Sequence, residues 1–298
     1  MTVPALTLVE IPTRRSPSPQ APLLVLGPAL GTSASSLWSA AARLLEGDLR
    51  VVGWDLPGHG ASAPAAEPFG TVELAHAVLA AVDRHRAASG AETGGPFYYA
   101  GVSLGGCVGL ELLLEAPHRV PAAVLVGTAA RVGEPAGWAE RAQLVAAAGT
   151  PTQIVGSAQR WFAPGFIERD AVTTTELLHD LQDADRLSYA RACEALAGFD
   201  ATGRLGAVDV PVLAVTGAQD PVTPPEAAEE LAAATGGRAV VVPGAGHLVP
   251  AEAPRDVARL LDQHIGAHPR HDSDRDHDEG QDHDRDHDRD HHDEGARA

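Results

Sequence analysis

Lysine and asparagine are missing altogether from the 298 residues, so all 22 basic residues are arginines. Positive charge is scarce against 40 acids, and a net charge of −18 argues against nucleic acid as a partner. Cysteine occurs only twice, at Cys107 and Cys193, which excludes a disulfide scaffold and reads as small apolar filler in a reducing compartment. No run of ~18 apolar residues is present, which excludes an ordinary transmembrane helix. The amino terminus, MTVPALTLVEIPTRR, lacks a basic start followed by an apolar core and a small-residue cleavage site. The expectation is therefore a cytoplasmic protein with no membrane partner.

What is present is alternation. Short apolar runs at Leu23 to Gly27, Leu49 to Asp55, Phe97 to Val102, Ala122 to Thr128, Val210 to Gly217 and Arg238 to Gly244 are separated by segments of helical spacing. That order predicts an α/β fold with a mostly parallel central sheet and crossover helices, and Leu6 to Ile11 reads as an added antiparallel edge strand. Helical patterns fall at about 34–45, 71–89, 104–115, 225–234 and 254–265. Between Thr128 and Leu205 the strand signal vanishes and helical stretches follow one another, at Ala136 to Ala148, Thr152 to Trp161, Asp170 to Asp180 and Ala184 to Ala197. An all-helical insertion here predicts a cap over the carboxyl edge of the sheet. The chain divides on this reading into a core of residues 1–127 and 206–267, a cap of 128–205 and a tail of 268–298.

Gly101-Val102-Ser103-Leu104-Gly105 stands where the strand Phe97 to Val102 gives way to a helix. A direct strand-to-helix reversal forces its corner residue into strained backbone angles and needs neighbours without side chains. The pattern is the G-x-S-x-G of a nucleophile elbow, which exposes a serine hydroxyl at the sheet edge. A serine needs a base, and the base needs an orienting acid. In doubly wound hydrolases these follow in the order acid, then His. Asp220 in PVLAVTGAQDPVTPP and His247 in VVVPGAGHLVPAEAP both occupy loops directly after strands. The candidate catalytic set is Ser103, Asp220 and His247. For an oxyanion the expected donors are the backbone N–H of Leu104 and one from GPALGTS, where Pro28 has none; Ala29 is preferred, with Leu30 the alternative. His59, in DLPGHGAS, reads as a structural loop residue.

Together these segments resemble an α/β-hydrolase-fold protein, and within that superfamily the 3-oxoadipate enol-lactone hydrolases of aromatic degradation. The likeness is carried by ALGTSASSLW, GVSLGG, GTAARVGEPAGWAER, RWFAPGF, DPVTPP and GAGHLVPAEAP, which together reach from about Gly27 to Pro254. The resemblance implies a helical cap inserted after the sixth strand, a serine hydrolase without metal or organic cofactor, and a small anionic lactone as substrate. An anion in so acidic a protein calls for a local cation, for which Arg131 at the cap entrance is the first candidate, followed by Arg141 and Arg160. Trp138 and Trp161 are candidates for the apolar walls of the substrate site. A general carboxylesterase or another lactonase would use the same triad without the cation.

From His268 onward the chain holds 12 acids and 5 arginines, net −7, interspersed with seven histidines and without hydrophobic periodicity. Such a segment is expected to be disordered and to bind divalent metal weakly through its histidines. A metal-binding protein acting through this tail is the alternative from a different functional class.

Overall fold

The computed structural model describes residues 2–18 and 20–269. Seven strands form one sheet: β1 (Leu8–Glu10), β2 (Leu23–Gly27), β3 (Arg50–Trp54), β4 (Tyr98–Val102), β5 (Ala123–Val126), β6 (Val212–Gly217) and β7 (Arg238–Val242). Their order is β1-β3-β2-β4-β5-β6-β7, with β1 antiparallel to β3 and every other pairing parallel. The residues of β2, β4, β5 and β6 are buried throughout, as expected of parallel strands covered on both faces. The edge strand is shorter than its apolar pattern, three residues in place of Leu6 to Ile11, though both of those terminal residues are buried.

Helices α1 (Ala34–Ala42), α2 (Thr71–Ala88) and α3 (Leu104–Glu115) follow β2, β3 and β4 in turn. Five more lie between β5 and β6: α4 (Pro135–Ala148), α5 (Ile154–Trp161), α6 (Phe166–Arg169), α7 (Ala171–Asp183) and α8 (Arg186–Gly198). The chain closes with α9 (Pro225–Thr235), α10 (Val249–Glu252) and α11 (Pro254–Ala267). Within the core α2 packs on α3 and α1 on α11, while in the cap α4 lies along α8. The helical insertion follows the fifth of the seven strands and not the sixth, because a single strand precedes β2 among the described residues.

Local chemistry sets the cap helices. Pro135 opens α4, where its missing N–H costs nothing, and Gly149 at φ 86° ends it. Asp170 and Asp185 cap α7 and α8, their carboxylates accepting from the Thr173 and Ser188 N–H groups, each cap contributing about 1 kcal/mol. Asp170 is thus a cap residue and not the first turn of its helix. The expected helix from Thr152 starts later, after a 3-10 turn at Thr150–Gln153, and the four-residue α6 and α10 are too short to leave a periodic signature.

The cap is tied to the core at two rims. On one, Asp180 of α7 accepts from the Ser33 N–H at 2.8 Å and from the Ser36 hydroxyl, Asp185 N–H donates to Gly58 O at 2.8 Å, and Arg191 donates to Ala65 O and Ala66 O. On the other, Trp161 O accepts from the N–H of His247 at 2.9 Å and of Leu248 at 3.2 Å. At the far end of α11, His268 packs against His264, ring centroids 4.7 Å apart, and its carbonyl accepts from Tyr98 Oη at 2.9 Å. The residue at which the tail was expected to start is therefore bound to the body; residues 270–298, with the expected metal-binding histidines beyond it, lie outside the described residues. No described helix is long and apolar enough to cross a membrane.

Candidate active site

Ser103 is the single described residue other than glycine with positive φ, at φ 55° and ψ −115°. Its N–H donates to Val126 O on β5 at 2.8 Å, and its carbonyl accepts from Cys107 N–H in α3 at 2.9 Å, so strand and helix hold the strained corner from both sides. The flanking glycines are required by contact. A Cβ on Gly101 would lie 2.3 Å from Gly105 O, and one on Gly105 would lie 2.6 Å from Pro28 O. Gly105 N–H donates to Pro28 O at 3.0 Å, and Gly105 O accepts from Tyr99 Oη at 2.6 Å. The loop after β2 is thereby pressed against the first turn of α3.

Asp220 and His247 stand on the loops after β6 and β7, as expected. His247 Nδ1 donates to Asp220 Oδ2 at 2.8 Å, with both side chains almost fully buried. Asp220 Oδ1 also accepts from the N–H groups of Val222 and Thr223 at 2.8 and 3.0 Å, and Oδ2 from Thr223 Oγ1 at 2.7 Å. Burial pushes the Asp220 carboxyl up, but the attraction of His247 and the hydrogen bonds from His247 and Thr223 outweigh it, and the group is held below its ordinary value. Sequence reasoning missed Thr223. An Asp followed three residues later by Thr in a Pro-flanked loop is the available signal for such a self-capped turn.

Ser103 and His247 open into one cavity of ≈220 Å³, also lined by Ala29, Leu30, Trp138 and Trp161 and roofed by Arg141, Arg160 and Tyr189. No carboxylate among the described residues lines it. Arg141 stacks over Trp138, its guanidinium carbon 4.7 Å from the ring centroid, and Trp138 Nε1 donates to Val132 O at 2.6 Å. Burial and the nearby charge of Arg141 both lower the Arg160 pKa. Neither arginine makes an ion pair among the described residues. Burial raises the Tyr189 phenol above its ordinary value, against the lowering effect of Arg141 beside it.

Arg131 does not reach the cavity. Its guanidinium donates to Glu134 at 2.9 Å on the surface, with the side chain 42% exposed, while the next residue, Val132, turns inward and is buried. The alternation of the entrance loop, which sequence position alone does not reveal, points Arg131 outward, and the arginines that line the cavity are Arg141 of α4 and Arg160 of α5. Ala29 lines the cavity with Ser103, and Leu104 follows Ser103 in the chain. The Leu104 N–H begins α3 and has no acceptor within the helix. The Ala29 N–H donates to Thr32 Oγ1 at 3.1 Å. His59 is buried behind the roof, stacked on Tyr189 at 5.9 Å between centroids, and its Nδ1–H donates to Pro57 O at 3.0 Å. A further buried acid, Asp55, lies off the cavity and accepts from the N–H groups of Ala34 and Ala61 at 2.7 and 2.8 Å, which fixes the start of α1.

Residues 24–260 match a family model described as the alpha/beta hydrolase family. The chain is 35% identical over 202 residues to 3-oxoadipate enol-lactonase 2 of Acinetobacter baylyi, an alignment covering 68% of this chain and 73% of that one. The fold superposes on the crystal structure of the enol-lactonase from Burkholderia xenovorans LB400 with a TM-score of 0.79 and 27% identity, covering 88% of this chain and 96% of the other. A pimeloyl-[acyl-carrier protein] methyl ester esterase of Neisseria meningitidis is 32% identical over 205 residues, 65% of this chain and 61% of that protein.

Proposed function

The chain belongs to the alpha/beta hydrolase family and is kin to its enol-lactonases, and from that premise we propose that it opens the lactone ring of 3-oxoadipate enol-lactone to give 3-oxoadipate in the β-ketoadipate route of aromatic degradation. The observation that carries this reading is that Ser103 and His247 share one cavity with two arginines and, among the described residues, no acid. An esterase acting on neutral substrates has no use for two half-buried cations lining the cavity of its nucleophile. A lactone bearing an acetate carboxylate does.

On this reading the groups act in sequence. Ser103 Oγ attacks the ring carbonyl carbon while His247 takes the hydroxyl proton on Nε2, the nitrogen left free by the Nδ1–Asp220 bond. Asp220 holds the tautomer and stabilises the imidazolium that forms. The oxyanion takes the Leu104 N–H and the Ala29 N–H, the latter exchanging its bond to Thr32 Oγ1 for one to the oxyanion. The tetrahedral carbon then expels the ring oxygen as an enol, which receives the proton from His247. Water, deprotonated by the same histidine, cleaves the acyl-serine and restores Ser103, and the freed enol tautomerises to the ketone. Arg141 and Arg160 bind the acetate carboxylate throughout, with Trp138 and Trp161 against the ring.

Direct ultraviolet measurement of enol-lactone loss tests the proposal, run beside a neutral lactone and a methyl ester of similar size. A strong preference for the carboxylated lactone supports it. Equal or better turnover of the neutral substrates would make the protein a general esterase of the same fold.

A further inference from the structure

Glu252 lies outside the cavity lining and was not among the residues singled out from the sequence. Its carboxylate nonetheless joins the two halves of the site. Oε1 accepts from the Gly246 N–H at 2.9 Å, one residue before His247, and Oε2 accepts from the Ala163 N–H at 2.8 Å, two residues after Trp161. Between these points Trp161 O takes the N–H groups of His247 and Leu248. The approach of the two segments is close enough to require glycine: a Cβ on Gly246 would stand 2.7 Å from Ala163 N and 2.9 Å from Phe162 C. Glu252 ends α10, and its own N–H returns to Leu248 O at 3.1 Å, so the carboxylate is carried on the loop that it braces.

We propose that Glu252 is a positioning residue that locks the Trp161–Ala163 wall of the cap to the His247 loop, so that the base and the substrate wall keep one register. The inference rests on the reading of Ser103 and His247 given above. Two backbone donors converge here on one side chain, and only a group with two acceptor oxygens and no donor satisfies both. Glutamine has the same reach but one oxygen; its NH₂ would face one of the two N–H groups. Aspartate keeps both oxygens but is a methylene shorter and reaches only one of them.

The test compares wild type with E252Q and E252D, using S103A as control. Two quantities are read on protein whose fold is checked by circular dichroism: steady-state kcat and KM on the lactone, and the rate at which a fluorophosphonate labels the serine. The labelling rate reports how well His247 activates Ser103, independently of lactone binding. Displacing a base slightly costs about 10- to 100-fold, and E252Q is expected to lose that much in both kcat and labelling rate, with KM nearly unchanged and E252D intermediate. A folded E252Q that labels at the wild-type rate overturns the proposal. So does a wild-type labelling rate in E252D, which carries the test if E252Q fails to fold. S103A labelled as fast as wild type would instead overturn the assignment of Ser103, a separate failure with a separate signature.

Discussion

Replacing Arg160 with methionine separates a substrate-binding arginine from a structural one. At an effective dielectric of ~20, a guanidinium and a carboxylate about 4 Å apart attract by about 4 kcal/mol before desolvation is charged against them. Hydrogen bonds to charged groups retain about 1.5–3 kcal/mol net. At about 1.4 kcal/mol per decade, this gives a fall of about 10- to 150-fold in kcat/KM for the carboxylated lactone. A neutral lactone of equal size should lose little. Stability should move the other way: Arg160 is partly desolvated and held near a second positive charge, Arg141, without an ion pair among the described residues. Methionine keeps the stem and removes the repulsion, so Tm is expected to hold or rise. Arg141→Met should show the same substrate preference with some loss of Tm, since it also gives up the stacking on Trp138. The assay is the ultraviolet loss of each lactone together with thermal melts of the three proteins. Equal losses on charged and neutral substrates, accompanied by a lower Tm in R160M, would show that Arg160 braces the cap and that the cationic roof has no part in recognition.

Three further outcomes are expected. Ser103→Ala should remove several orders of magnitude of lactone turnover while leaving the melt unchanged, and residual activity above about one per cent would rule out the covalent route. His264 is buried, its pKa lowered from 6.5 by burial and then held up in part by its bond to Pro211; a depressed folded-state value means stability present above pH 6.5 and lost as pH falls through it. His264→Gln, which keeps a donor for Pro211 O, should therefore show a shallower fall of Tm between pH 7 and 5 than wild type, and identical slopes would contradict the sign. Deleting residues 270–298 should leave lactonase activity unchanged, whereas a deletion that also takes His268 should lower Tm because it breaks the Tyr98 and His264 contacts; a fall in turnover on the shorter deletion would make the tail part of the catalytic unit.

Those residues that a strand delivers were legible from the sequence. Ser103, Asp220 and His247 each follow a parallel strand, β4, β6 and β7, and parallel register brings such loops to one edge whatever else the chain does. The cap was legible only as a run of helices. Which arginine faces inward depends on how α4 and α5 rotate against α8 and the core, and helical spacing fixes a face without naming its neighbour. Arg131, chosen for its place at the entrance, pairs with Glu134 outside, while Arg141 and Arg160 line the cavity. Glu252 was missed for a related reason: its partners are backbone N–H groups, which leave no mark in composition or periodicity, while Thr223 was missed because its partner, Asp220, is a contact within one turn of a short loop that carries no periodic pattern.

The two rims that hold the cap share this chemistry. Asp180, Asp185, Arg191, Trp161 and Glu252 engage the main chain at Ser33, Gly58, Ala65, Ala66, Ala163, Gly246, His247 and Leu248. A fastening made to main-chain groups is largely indifferent to what side chain its partner carries. Mutation is thus free to rewrite the lining between the rims while the cap stays seated. The architecture decouples inheritance of the catalytic frame from inheritance of its specificity, and a lactonase and a methyl ester esterase among the relatives of one chain is the pattern such a division would leave.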